Sequence, residues 1–198
     1  MLDIIHYSLI ILCLILTLIG FFKSGTGRIL NANKKDAFLQ SIALVFAITA
    51  DYLLIFTDFY VVGILVFQGQ HLTAILRYRK TAFRFHFIIA FLLSAISVSM
   101  LLIGKNYANK AVILAVLSYS ILLISVTFYI IKIPQIQQTL KYLSLIGYIL
   151  FIVCDINMAL SFILPDTVIY KSSAVNIAWL FYFPAQLFLA LSVFRYKK

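Results

Sequence analysis

The chain has 198 residues, 64% of them hydrophobic, and a net charge of +10. A mean hydropathy of +1.09 excludes a soluble globular domain, and separate apolar runs of about 20 residues match the thickness of a bilayer. Cys13 and Cys154 both lie inside apolar runs, which excludes a disulfide-built scaffold. The composition therefore predicts an all-α polytopic membrane protein, read as a single transmembrane helical domain over residues 1–198.

Span one is predicted over about residues 3–22. No Lys or Arg precedes it and no small-residue cleavage site follows, so it does not read as a signal peptide. Its polar residues, His6 and Thr17, are expected at the interface or bonded back to their own helix. The loop after it carries Lys23, Arg28, Lys34 and Lys35, and its Lys-Ser-Gly-Thr-Gly stretch lacks the spacing of a phosphate-binding loop. Span two (about 37–56) contains Asp51, with Ala43, Ala47 and Ala50 offering small packing faces. Span three (about 60–78) places Gly63, Phe67 and His71 at intervals of four, beside Gln68 and Gln70, and ends among Arg77, Arg79, Lys80 and Arg84.

Span four (about 85–104) offers Ser94, Ser97 and Ser99, which are expected to bond to their own helix's carbonyls or to a neighbouring helix. Span five (about 111–131) carries Ser118, Tyr119, Ser120, Ser125 and Thr127. Span six (about 142–164) holds Gly147, Phe151, Asp155 and Ala159 on one face, where the small residues admit a close neighbour. Cys154 beside Asp155 reads as a small packing residue. Span seven (about 174–194) contains Trp179, Tyr182, Pro184 and Gln186, and Pro184 withdraws one backbone bond from the carbonyl of Leu180.

Seven spans alternate the loops between two sides. One side then holds every Lys and Arg except Lys105, Lys110 and Lys171. That asymmetry places the C-terminus in the cytoplasm and the N-terminus outside. It also accounts for the positive charge: the natural partner is the lipid bilayer with its anionic headgroups, and nucleic acid is not needed.

Asp51 and Asp155 stand out because a carboxylate at the centre of a span costs roughly 2.5–3.5 kcal/mol on insertion scales. Each is predicted ~20 Å from the inner face, with His71 and Tyr182 within ~5 Å of that depth and Gln186 slightly deeper toward the cytoplasm. A single His or Gln in a span is more often helix glue. Two buried carboxyls in a chain of six Asp and no Glu are different, since one can hold a proton while the other is ionised. That is the equipment of acid–base catalysis. His6 and His86 lie at span ends, so no metal site and no cofactor is expected.

Four motifs occur in chain order: Asp51 near the outer end of its span, Gly63-x3-Phe67-x3-His71, Gly147-x3-Phe151-x3-Asp155-x3-Ala159-Leu160, and Tyr182-x2-Ala185-Gln186-x3-Ala190-Leu191-Ser192. Together they resemble the YhhN family of integral membrane proteins, which includes the lysoplasmalogenases. The resemblance implies a membrane hydrolase that cleaves the vinyl ether bond of lysoplasmalogens, with Asp51 and Asp155 as the catalytic pair. It leaves His71, Tyr182 and Gln186 as candidate substrate-binding residues. The sequence departs from the family at Ala50-Asp51, where Gly-Asp is usual, and at Cys154-Asp155, where Ser-Asp is usual. The family typically has eight spans against the seven counted here. Two other readings use the same residues: a proton-coupled transporter of a small amphiphile, and a non-catalytic lipid-binding membrane protein. Headgroup, chain length and oligomeric state are not readable from the sequence.

Overall fold

A computed structural model describes residues 2–23, 30–32, 34–57, 59–78, 84–104, 108–132, 138–163 and 169–196. Among them lie seven helices: α1 (Leu2–Phe22), α2 (Lys34–Phe56), α3 (Tyr60–Tyr78), α4 (Arg84–Ile103), α5 (Ala108–Lys132), α6 (Gln138–Ile163) and α7 (Ile169–Leu191). Each contains one of the predicted spans or nearly all of it. Four carry described stretches long and apolar enough to cross a membrane (Lys34–Phe56, Asn109–Lys132, Leu140–Ala159 and Ser173–Leu191), and Tyr7–Phe22 and Ile88–Ile103 are shorter apolar stretches. Large apolar side chains such as Leu12, Phe91 and Leu180 are exposed, the distribution expected when the solvent is lipid. The chain is an all-α polytopic membrane protein.

α3 falls outside the apolar set for a physical reason. Gln68, Gln70, His71 and Thr73 lower its hydropathy, and all four are buried. Its polar groups face protein, so it needs less lipid-compatible surface than its neighbours.

The chain packs as two compact units, Met1–Phe38 with Ile130–Lys198, and Leu39–Tyr129. In the first, α6 and α7 pack closely because Gly147 has no side chain. A Cβ there would meet Leu189 Cγ at 2.8 Å and the Ala185 carbonyl at 3.1 Å. α7 continues through Pro184 and stops at Leu191, three residues earlier than the sequence suggests. A turn follows, and then a short strand. β1 (Leu30–Ala32) pairs antiparallel with β2 (Phe194–Tyr196), in the register Leu30↔Tyr196, Asn31↔Arg195, Ala32↔Phe194. Three residues are too few for an alternating pattern to show in the sequence.

At the same end of the unit Gly20 of α1 faces Phe194, where an added Cβ would stand 3.1 Å from the ring. Ala37 and Val193 pack there with Phe21 and Phe194. The C-terminal ends of α1 and α7 therefore meet. Thr17 donates to the Leu14 carbonyl at 2.9 Å, the back-bonding expected of it.

The β1–β2 pairing can be tested directly. Antiparallel Cα partners sit about 4.5–5.5 Å apart, within reach of a disulfide. In a background without Cys13 and Cys154, the pair Asn31→Cys and Arg195→Cys is expected to close under mild oxidation and to protect both thiols from maleimide. Persistent labelling of both would contradict the register.

In the second unit Val61, Ala111 and Ala115 form a core cluster with Ile64, Leu65, Met100, Leu101 and Val112 around it. The serines behave as expected of span serines: Ser94 and Ser99 donate to the carbonyls of Ala90 and Ala95, and Ser97 crosses to the Ala111 carbonyl at 2.6 Å. At the basic end of α3, Arg77 donates to Gln40 Oε1 of α2 at 3.0 Å.

Candidate functional site

Asp51 and His71 belong to the second unit, and Asp155, Tyr182 and Gln186 to the first.

In the second unit, Asp51 is 5% exposed on α2. Beside it the Gly63 backbone of α3 fits against Leu54 and the Ala50 carbonyl, where an added Cβ would stand 2.7 Å from Leu54 Cγ and 3.4 Å from the carbonyl oxygen. Gly63, Phe67 and His71 share the buried face of α3, as their spacing requires. His71 is fully buried, with the Tyr119 ring of α5 at 4.9 Å and Phe67 at 6.2 Å between centroids. Phe67 and Tyr119 meet edge to face at 5.7 Å.

One residue further round α3, Gln68 donates to Ser118 Oγ and to the Ala115 carbonyl, and accepts from Ser94 at 3.0 Å. α3, α4 and α5 are thus tied by one satisfied polar network, which holds Tyr119 in place against His71. The sequence names Gln68, Ser94, Ser118 and Tyr119 without pairing them. Contacts between distant helices leave no mark in local spacing.

In the first unit the rings dominate. Phe151 of α6 meets Tyr182 of α7 at 5.4 Å with planes 89° apart, and Tyr182 meets Trp179 at 5.3 Å and 74°. Tyr148 stacks obliquely on Phe151 at 6.4 Å. Tyr148, Phe151 and Gln186 are fully buried, while Asp155 and Trp179 are half-buried. Asn157, a buried polar residue the sequence reading passed over, donates to the Val153 carbonyl at 2.7 Å.

The two units repeat one packing device. In one, Gly63 of Gly63-x3-Phe67-x3-His71 lies on Ala50-Asp51-x2-Leu54; in the other, Gly147 of Gly147-x3-Phe151-x3-Asp155 lies on Ala185-Gln186-x2-Leu189. In both, the glycine meets an Ala carbonyl and a Leu side chain. The residue after that Ala, Asp51 or Gln186, is level with the glycine. The third motif position, His71 or Asp155, stands eight residues and so ~12 Å further along.

This register corrects the expected depths. His71 lies ~12 Å from the level of Asp51, toward the basic end of α3, and not within 5 Å of it. Gln186 is likewise ~12 Å from the level of Asp155, while Tyr182, level with Phe151, is ~6 Å from it. Counting residues along a span measures each helix from its own end. Helices that start at different heights cannot be compared that way.

Among the described residues no three His, Cys, Asp or Glu side chains gather as a metal-binding group.

The fold and these sites define a polytopic helical membrane protein that keeps carboxyl, imidazole and amide groups on helix faces packed against protein. The YhhN family profile matches residues 5–193, nearly the whole chain, and the protein belongs to the YhhN family. No curated protein and no solved structure matches it.

Proposed function

We propose that this protein is a membrane-embedded hydrolase that cleaves the vinyl ether bond of lysoplasmalogens, giving a fatty aldehyde and a glycerophospholipid headgroup. The observation that carries this reading is the burial of Asp51 within an apolar helix of a YhhN protein, a family that includes lysoplasmalogenases. A carboxyl kept there at a cost of a few kcal/mol has a use.

The chemistry needs an acid and an anion. A proton moves to the vinyl carbon remote from oxygen, leaving an oxocarbenium ion. Water then adds to the carbon bound to oxygen and gives up a proton. The hemiacetal collapses, its hydroxyl proton passing to the departing glycerol oxygen. A neutral carboxyl can donate the first proton, and a carboxylate can steady the cation and receive the proton from water. Asp51 and Asp155 share these two roles. His71, Tyr182 and Gln186 orient the ether oxygen, the water or the polar end of the lysophospholipid. Neither cofactor nor metal enters the scheme.

The protein works in the cell membrane, with its N-terminus outside and its C-terminus in the cytoplasm. Reporter fusions at Lys80 and Lys198 are both expected to read cytoplasmic; a split result would overturn the count of spans between them, and two external readings would overturn the orientation. The function itself is tested by incubating purified protein with lysoplasmalogen in detergent and measuring fatty aldehyde. Absence of aldehyde from well-folded protein would end the hydrolase reading.

A further inference from the structure

The ring cluster of the first unit has a use beyond packing. Phe151, Tyr182 and Trp179 meet edge to face, at 89° and 74°, so neighbouring rings present a face and an edge to one another. The negative faces of such rings attract a cation placed within about 6 Å of a centroid, most strongly over Trp. Asp155 follows Phe151 by one turn on the same face of α6. Gly147 is level with Gln186, and Phe151 with Tyr182, so the same antiparallel register brings Asp155 level with Ala178 and Trp179.

Ala178, at that level, is buried. Asp155 and Trp179 are the two half-buried members, while Tyr182 and Phe151 are buried. A half-buried carboxyl one turn from a buried aromatic pair, at the level of a half-buried indole, is chemistry that suits positive charge attached to an apolar chain.

We infer that Asp155, Trp179, Tyr182 and Phe151 form a binding site for an organic cation carried on an alkyl chain. Two chemical sources fit. One is the oxocarbenium ion of the reaction, which would make Trp179 a catalytic residue; the other is the ammonium of a lysophospholipid headgroup. The inference extends the hydrolase reading by giving Asp155 the charge-stabilising part, but the binding site itself does not require turnover.

Trp179 is the only tryptophan in the chain, so its fluorescence reports on this site alone. The probe is a long-chain alkyltrimethylammonium, titrated into protein held in a non-ionic detergent, with an uncharged amphiphile of equal chain length as comparison. The cation is expected to shift or quench the emission at concentrations where the neutral amphiphile does not. Asp155→Asn should weaken that response roughly tenfold, and Tyr182→Phe, which keeps the ring, should retain it. Equal responses to both amphiphiles, or an undiminished response in Asp155→Asn, would overturn the site.

The kinetic arm separates the sources. If the cation is the oxocarbenium ion, Trp179→Leu lowers kcat roughly tenfold with KM held, whatever the headgroup. If it is the headgroup, the same variant raises KM for choline and ethanolamine substrates and leaves an amine-free headgroup unaffected. An active enzyme in which Trp179→Leu changes neither constant would exclude both. Selective cation binding without aldehyde release would leave the site standing and remove only the hydrolase reading.

Discussion

Asp51→Asn and Asp155→Asn are each expected to lower aldehyde release from lysoplasmalogen by roughly a hundredfold or more, the usual scale for losing a positioned acid or base. An amide has nearly the shape of the carboxyl it replaces and is no harder to bury, so both variants should fold and keep the parent's melting behaviour. What is lost is chemical. An amide can neither protonate a vinyl carbon nor carry the negative charge that a developing oxocarbenium ion needs.

If the two carboxyls serve one step, the double variant should be scarcely slower than the worse single variant, because groups acting as a unit are not additive. Multiplied losses would mean that they act separately. Solvent deuterium should slow the parent enzyme where proton transfer to carbon limits the rate. The measurement is the initial rate of aldehyde formation in detergent at fixed substrate. Full activity in either Asn variant would remove that residue from the mechanism.

Much of the fold is written in the sequence, because a bilayer sets the length of every apolar run. The predicted span three has the bounds of α3, Tyr60–Tyr78, and the others agree within a few residues. The differences have local causes. α7 ends early since Phe194–Tyr196 pairs with Leu30–Ala32, and neither strand is long enough to announce itself. α3 escapes a simple hydropathy search because four buried polar residues mask it.

The candidate site was legible face by face. Spacing of four correctly put Gly63, Phe67 and His71 on one buried face, and marked Gly147 as the place where another helix comes close. The level of one helix against another was not legible. Only the glycine contacts fix it, and they move His71 and Gln186 about two turns from where span arithmetic put them. Trp179 and Tyr182, three apart on one helix, could have been read as a pair, but the perpendicular Phe151 ring across the helix contact could not.

Gly147→Leu is expected to be the most damaging single packing change in the first unit. The obstacle is specific. Leu189 can rotate away from a new Cβ, but the Ala185 carbonyl, 3.1 Å from it, belongs to the α7 backbone and moves only with the helix. In a membrane, close van der Waals packing is a main source of helix association, so a forced separation is not offset by apolar burial. Gly147→Ala needs a shift of a few tenths of an ångström and costs about 1–3 kcal/mol by overpacking, of which about 1 kcal/mol returns through better helix propensity. Its net cost should be no more than about 2 kcal/mol. Leu adds three more carbons at the same point, and the cost should rise to several kcal/mol, seen as a clear fall in melting temperature and broadening of the monodisperse peak. Phe151 and Asp155 stand one and two turns beyond on the same face, so parting α6 from α7 also separates Phe151 from Tyr182. Activity should therefore fall more steeply than stability across the Gly, Ala, Leu series. Ile149→Leu, on the exposed side of the same helix, should leave both unchanged. Parent-like melting and activity in Gly147→Leu would mean that the α6–α7 contact does not set the geometry of this site.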